Sequence, residues 1–190
     1  MKHTNILLAG ATGYLGSYLL KALIENQNQV LTIVRNPNKL KNNNENFLEV
    51  KQAEVTKPDT LRDICKGIDT VISTIGITRQ KDSLTYMDVD YQANMNLLEE
   101  AKKAGVKHFV YVSAINGDKY RQLKIFEAKE KILLRQTGAY PICAIDTEQY
   151  YTLDTVHNGL LLDDAFSERK SAQEIGVSAL GPESIEALID

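Results

Sequence analysis

The run Ile6-Leu7-Leu8-Ala9-Gly10-Ala11-Thr12-Gly13-Tyr14-Leu15-Gly16 decides the fold of this 190-residue chain. Four apolar residues suited to a buried strand lead into three glycines spaced three apart. The apolar spacing of Tyr18-Leu19-Leu20 and Leu23-Ile24 then continues as a helix. Glycines alone also mark ordinary turns. A strand before them and a helix after them are the context that a dinucleotide-binding turn requires. In that reading Gly10 permits the tight turn off the strand, Gly13 lets the backbone approach a pyrophosphate, and Gly16 lets the helix pack on the sheet. The helix that begins near Tyr14 aims its N–H groups and positive dipole end at the phosphates. Gly10, Thr12, Gly13, Tyr14, Leu15 and Gly16 are therefore the first expected cofactor contacts. The Thr12 hydroxyl suits a phosphate and a turn-stabilising bond equally.

Outward from this turn, short β-branched apolar runs alternate with helical patterns. Strands are expected at 5–9, 30–34, 47–51, 70–74, 109–113 and 140–145, and helices at 14–25, 59–66, 88–104 and 123–136. Near-continuously apolar strands separated by helices describe a parallel sheet covered on both faces. The expected fold is a doubly wound α/β Rossmann sheet with right-handed crossovers over residues 1–145. Residues 146–190 form an atypical C-terminal segment. Residues 39–46, rich in Asn, read as a solvated loop.

Composition narrows the function classes. Hydrophobic residues make up 43% and charged residues 25%, ordinary for a packed globular domain. A net charge of -3, with no basic cluster interleaved with aromatics, disfavours nucleic acid. Cys65 and Cys143, and His3, His108 and His157, are scattered, which suggests neither a disulfide framework nor a metal site. No apolar run reaches membrane-spanning length and the start leads directly into a strand, so a cytoplasmic protein is expected.

Five stretches together resemble the atypical short-chain dehydrogenase/reductases, and among them the NmrA-like branch. They are the glycine turn; Val34-Arg35-Asn36-Pro37; Val71-Ile72-Ser73-Thr74-Ile75-Gly76; Asp90-Tyr91-Gln92-Ala93-Asn94 with Asn96-Leu97-Leu98; and Ala104-Gly105-Val106-Lys107-His108-Phe109-Val110-Tyr111-Val112-Ser113-Ala114. The resemblance covers about the first 130 residues in order.

Arg35 carries the next expectation. An acid after the second strand would take the ribose 2′-OH of NAD, whereas an Arg accommodates the 2′-phosphate of NADP. Here that strand ends in Arg35 with Lys39 shortly after, so NADP(H) is expected over NAD(H). Topology adds Thr74, Ile75 and Gly76 beneath the ribose and nicotinamide. The resemblance adds Glu54 and Val55 at its adenine-contacting position, where an Asp is usual. It also sets Asn94 where related proteins carry an Asn in the central helix.

Carbonyl-reducing members of the family use a Ser, a Tyr, and a Lys four residues after the Tyr. Ser113 ends its strand where that Ser belongs, and equally suits an ordinary strand terminus. Tyr120 and Lys124 have the Tyr-x-x-x-Lys spacing but follow Ser113 closely. The other register, which fits the branch better, aligns Lys129 with the family lysine, where the resemblance implies contact with the cofactor's ribose or nicotinamide, and leaves Ile125 at the Tyr position, removing the proton donor. Beyond residue 131 the family's strand ending in Arg-Pro is missing, and residues 175–190 fit either a short helix or coil. The resemblance implies an NADPH-dependent oxidoreductase that passes hydride to a small-molecule acceptor such as a flavin or quinone. The chief alternative is a non-catalytic NADP(H)-binding sensor or assembly protein read by a partner, and a third is a domain completed by a partner chain or a homodimer.

Overall fold

The strands at the centre of the sheet are those whose side chains are apolar on both faces. In the computed structural model, which describes residues 5–40, 46–77, 83–113, 122–134, 142–145, 160–162 and 178–180, β1 (Asn5–Ala9), β2 (Gln29–Val34), β3 (Leu48–Gln52), β4 (Thr70–Ser73), β5 (His108–Val112) and β6 (Ile142–Ile145) form one sheet. Their order is β3-β2-β1-β4-β5-β6, with every neighbouring pair parallel. This is the doubly wound dinucleotide-binding order, and its switch point lies between β1 and β4.

Alternation along the strands assigns the helices to faces. Ile6 and Leu8 of β1, with Val30, Ile72 and Val110, pack against Leu19, Leu20 and Leu23 of α1 (Tyr14–Glu25). Leu7 and Ala9, with Leu31, Ile33, Val71 and Phe109, face the opposite core. There they meet Leu97, Leu98 and Ala101 of α2 (Asn94–Ala104) and Ala128 and Ile132 of α3 (Lys124–Leu134). Each fully buried aliphatic side chain contributes about 1.5–3 kcal/mol, so these two layers hold the sheet. Gly105, at φ 68°, closes α2.

Two expected elements take another form. Residues 59–66 are not a helix: a 3-10 turn at Pro58–Leu61 gives way to irregular turns. Asp63 stands at φ 60° and Gly67 at φ 77°, so the right-handed run breaks before it reaches a stable length. The helix expected from residue 88 begins as a π-helical segment, Met87–Ala93, that runs directly into α2. Other boundaries shift by a residue or two, as helix and strand ends commonly do. Within residues 175–190 the described part is a strand, β8 (Ser178–Leu180), rather than a helix, and it pairs in parallel with β7 (Leu160–Leu162). No described helix is long and apolar enough to cross a membrane.

Candidate functional site

The glycine turn has the geometry that its sequence requires. Gly10 sits at φ 95°, and a Cβ there would collide with the Thr74 hydroxyl and come 3.1 Å from the Thr74 carbonyl carbon. The Gly13 N–H donates to the Gly10 carbonyl at 2.9 Å and closes the turn. A Cβ on Gly16 would strike the Gly10 carbonyl oxygen. Gly13 is the N-cap of α1 and brings no side-chain cap, and the first turn has no acidic residue. The positive end of α1 is thus not neutralised by a carboxylate of its own first turn. A turn that excludes Cβ atoms at 10 and 16 and presents a helix N-terminus fits a pyrophosphate.

Around the turn lies a groove of about 360 Å³, within the usual range of ligand pockets. The β1 exit gives it Gly10, Thr12 and Gly13; the β2 exit gives Arg35 and Lys39; the β3 exit gives Ala53, Glu54, Val55 and Thr56; the β4 exit gives Thr74, Ile75, Gly76 and Ile77. Ten of the residues singled out from sequence therefore converge at the carboxyl ends of four strands. Tyr14, Leu15, Gly16, Ser113 and Lys129 do not line the groove. The Tyr14 side chain is 69% exposed and meets Tyr18 edge to face at 5.2 Å, and Leu15 packs toward the α1 core. Tyr14 and Leu15 therefore bring backbone rather than side chains to the turn.

Glu54 is held at 2.7 Å by the Lys57 ammonium and accepts the Thr56 hydroxyl at 3.2 Å. These contacts, Lys57 foremost, keep its carboxyl below the usual value, and nearby Arg35 adds to the effect. With Glu54 offset by Lys57, the other charged side chains lining the groove are Arg35 and Lys39. That end of the groove favours an anion.

A larger depression of about 470 Å³ lies beside the turn before β4 and the end of α2. Its Arg62 and Asp59 approach each other at 3.8 Å, and its Lys103 and Glu100 at 2.7 Å. It has no phosphate-binding turn and sits away from the carboxyl ends of the strands, so the smaller groove is the candidate site.

Behind residues 74–77 is a buried polar cluster. Asp90, from the π-helical segment, is fully buried, and its Oδ2 accepts the Ile77 N–H at 3.1 Å. Its Oδ1 lies 3.3 Å from the Lys129 ammonium of α3, an ion-pair approach without hydrogen-bond alignment. Lys129 donates to the Val112 carbonyl at 3.3 Å and lies 5.3 Å from the centre of the Tyr111 ring. Burial raises the Asp90 pKa against the pull of Lys129, and burial lowers that of Lys129 against the pull of Asp90. One helical turn on, Asn94 donates to the carbonyls of Ile75 at 3.3 Å and Asp90 at 2.9 Å and accepts the Ser73 hydroxyl at 2.5 Å. Asn94 is thus a tie between β4 and the helix.

Of the catalytic candidates, Lys129 is beside the groove floor, and Ile125 precedes it by four residues, so no phenol stands at that position. The Ser113 hydroxyl is buried with no hydrogen-bond partner among the described residues. Tyr120 lies outside the described residues. Asp90 received no role from sequence; the signal was an acid between apolar Val89 and Tyr91, four residues before Asn94.

A model of the NAD(P)H-binding family matches residues 10–141. The photosystem II assembly factor Ycf39 of Synechocystis is 31% identical over 140 residues, covering 72% of this chain and 43% of its own length. The chain thus spans less than half of that relative. A mitochondrial fmp-52 protein of Neurospora crassa is 30% identical over 183 residues, covering 93% of this chain and 71% of its own. This alignment takes in most of the residues after 145. An NADPH-dependent quinone oxidoreductase of Escherichia coli is 26% identical with a TM-score of 0.52, over 73% of this chain and 46% of its own.

Proposed function

Since the chain belongs to the NAD(P)H-binding family, we propose that its groove takes NADP(H) in preference to NAD(H), and that the protein passes hydride to a small-molecule acceptor. The observation that carries the reading is the placement of Arg35 and Lys39 in the same groove as the glycine turn. The backbone at Gly10 to Gly16 and the N-terminus of α1 hold the pyrophosphate. Arg35 grips the 2′-phosphate, Glu54 and Val55 border the adenine, and residues 74–76 form the floor under the nicotinamide ribose.

The bound cofactor would supply the hydride. This chain's residues orient it and exclude water from one side of the floor. With Ile125 where a phenol would stand, the acceptor is one that draws its proton from water, such as a flavin or a quinone. The likeness to a quinone oxidoreductase supports this class. NADPH consumption with flavin, quinone and carbonyl acceptors tests it: turnover with the first two and none with carbonyls is expected, and carbonyl turnover alone contradicts it.

One observation favours a second reading. The Lys129 ammonium is already engaged by Asp90 and the Val112 carbonyl. A chain that binds NADP(H) tightly without turnover would serve as a sensor or assembly protein acting on a partner. The resemblance to an assembly factor belongs with that reading. A cytoplasmic location, and a pocket completed by a second copy, are part of the proposal.

A further inference from the structure

We infer that Asp90 is the positioning residue for the nicotinamide half of the groove: it fixes residues 74–77 and Lys129 as one unit behind the bound ligand. The inference rests on the reading that the groove takes NADP(H).

Three elements meet at this carboxylate. It comes from the π-helical segment, holds the β4 exit through the Ile77 N–H at 3.1 Å, and faces the α3 lysine at 3.3 Å. Lys129 carries the link to the end of β5 through the Val112 carbonyl. The groups turned toward the pair are Tyr111 from β5, whose hydroxyl donates to the Asp90 carbonyl at 3.4 Å, and the Ile77 amide. π-helical turns inside α-helices are frequent at functional sites. Here Asp90 and Asn94 both reach the β4 exit, at Ile77 and Ile75.

Gly76 shows how closely the pair backs the groove. A Cβ on this groove-lining residue would come 2.6 Å from Asp90 Oδ1 and 3.2 Å from Lys129 Nζ. One backbone segment is thus all that separates the pair from the groove. Asp90 itself touches no groove surface; it acts through the segment and through Lys129.

The two halves of the groove allow a discriminating experiment. Adenosine 2′,5′-bisphosphate reaches the end formed by Arg35, Lys39 and Glu54 and, through its 5′-phosphate, the glycine turn, whereas NADPH also spans residues 74–76. Both probes are titrated into the wild type and Asp90→Asn, whose folding is checked by melting. The expected result is NADPH affinity reduced by about tenfold with bisphosphate affinity unchanged. If the Asn variant does not fold, the double variant Asp90→Asn with Lys129→Met, which leaves no buried charge unpaired, gives the same comparison. Equal loss of both probes would assign Asp90 a general structural role and overturn the inference, as would unchanged affinity for both. A wild type that binds neither probe would overturn the NADP(H) reading and this inference with it.

Discussion

A Cβ on Gly16 would run into the carbonyl oxygen of Gly10, so the first turn of α1 rests directly on the backbone that leaves β1. The turn and the helix are one rigid piece, and Gly16→Ala has to push them apart. Overpacking of this kind costs about 1–3 kcal/mol. The expected outcome is a lower melting temperature together with loss of NADPH binding. Gly67→Ala is the control: Gly67 stands at φ 77° in open space, so alanine costs about 1 kcal/mol in backbone strain and leaves binding unchanged. Wild-type affinity in Gly16→Ala would contradict the assignment of the turn.

Arg35 lines the anion end of the groove and is the proposed 2′-phosphate ligand. Arg35→Ala is expected to weaken NADPH binding about tenfold or more and to leave NADH binding almost unchanged. Competition titrations with both nucleotides measure this. Equal loss for both, or no loss for either, would remove Arg35 from the 2′-phosphate site.

The buried pair predicts a pH signature. The Asp90 carboxyl is raised above its usual 3.8, chiefly by burial. Above that value the folded state keeps a proton that the unfolded chain has lost, so this contribution to stability falls as pH rises toward the folded value. Lys129 is lowered from 10.5, again chiefly by burial, so the folded state binds fewer protons just below that value and stability rises with pH there. Urea midpoints against pH should show the acid-side fall disappear in Asp90→Asn and the alkaline rise disappear in Lys129→Met. At neutral pH, Lys129→Met alone should cost about 3–5 kcal/mol by leaving a buried carboxylate unpaired, and the double variant markedly less. Additive losses would argue that the two groups do not interact.

Cys65 is fully buried, and burial, with Glu100 nearby, pushes its thiol up to about 12. It carries almost no thiolate at pH 8. Peptide mapping after iodoacetamide should find Cys65 unmodified in the native protein and modified in urea. Rapid native labelling would contradict its place in the core.

What the sequence reveals follows from how local each feature is. The glycine turn and the strands β1 and β2 are legible because their signals lie within a few residues and burial on both faces leaves the strands mostly apolar. The groove was legible through topology, since a parallel sheet in this order brings its carboxyl ends together. The turns at 58–67 were not, because Asp63 takes a left-handed conformation that an apolar pattern does not reveal. The Asp90–Lys129 pair was also hidden. Its partners are 39 residues apart, on a π-helical segment and a later helix that meet only when both pack on the sheet.

A calorimetric titration of the purified chain with NADPH and then with NADH decides whether the groove is an NADP(H) site. Saturable one-to-one binding of NADPH, tighter than NADH by about tenfold or more, is expected. No binding of either nucleotide, or preference for NADH, would contradict it.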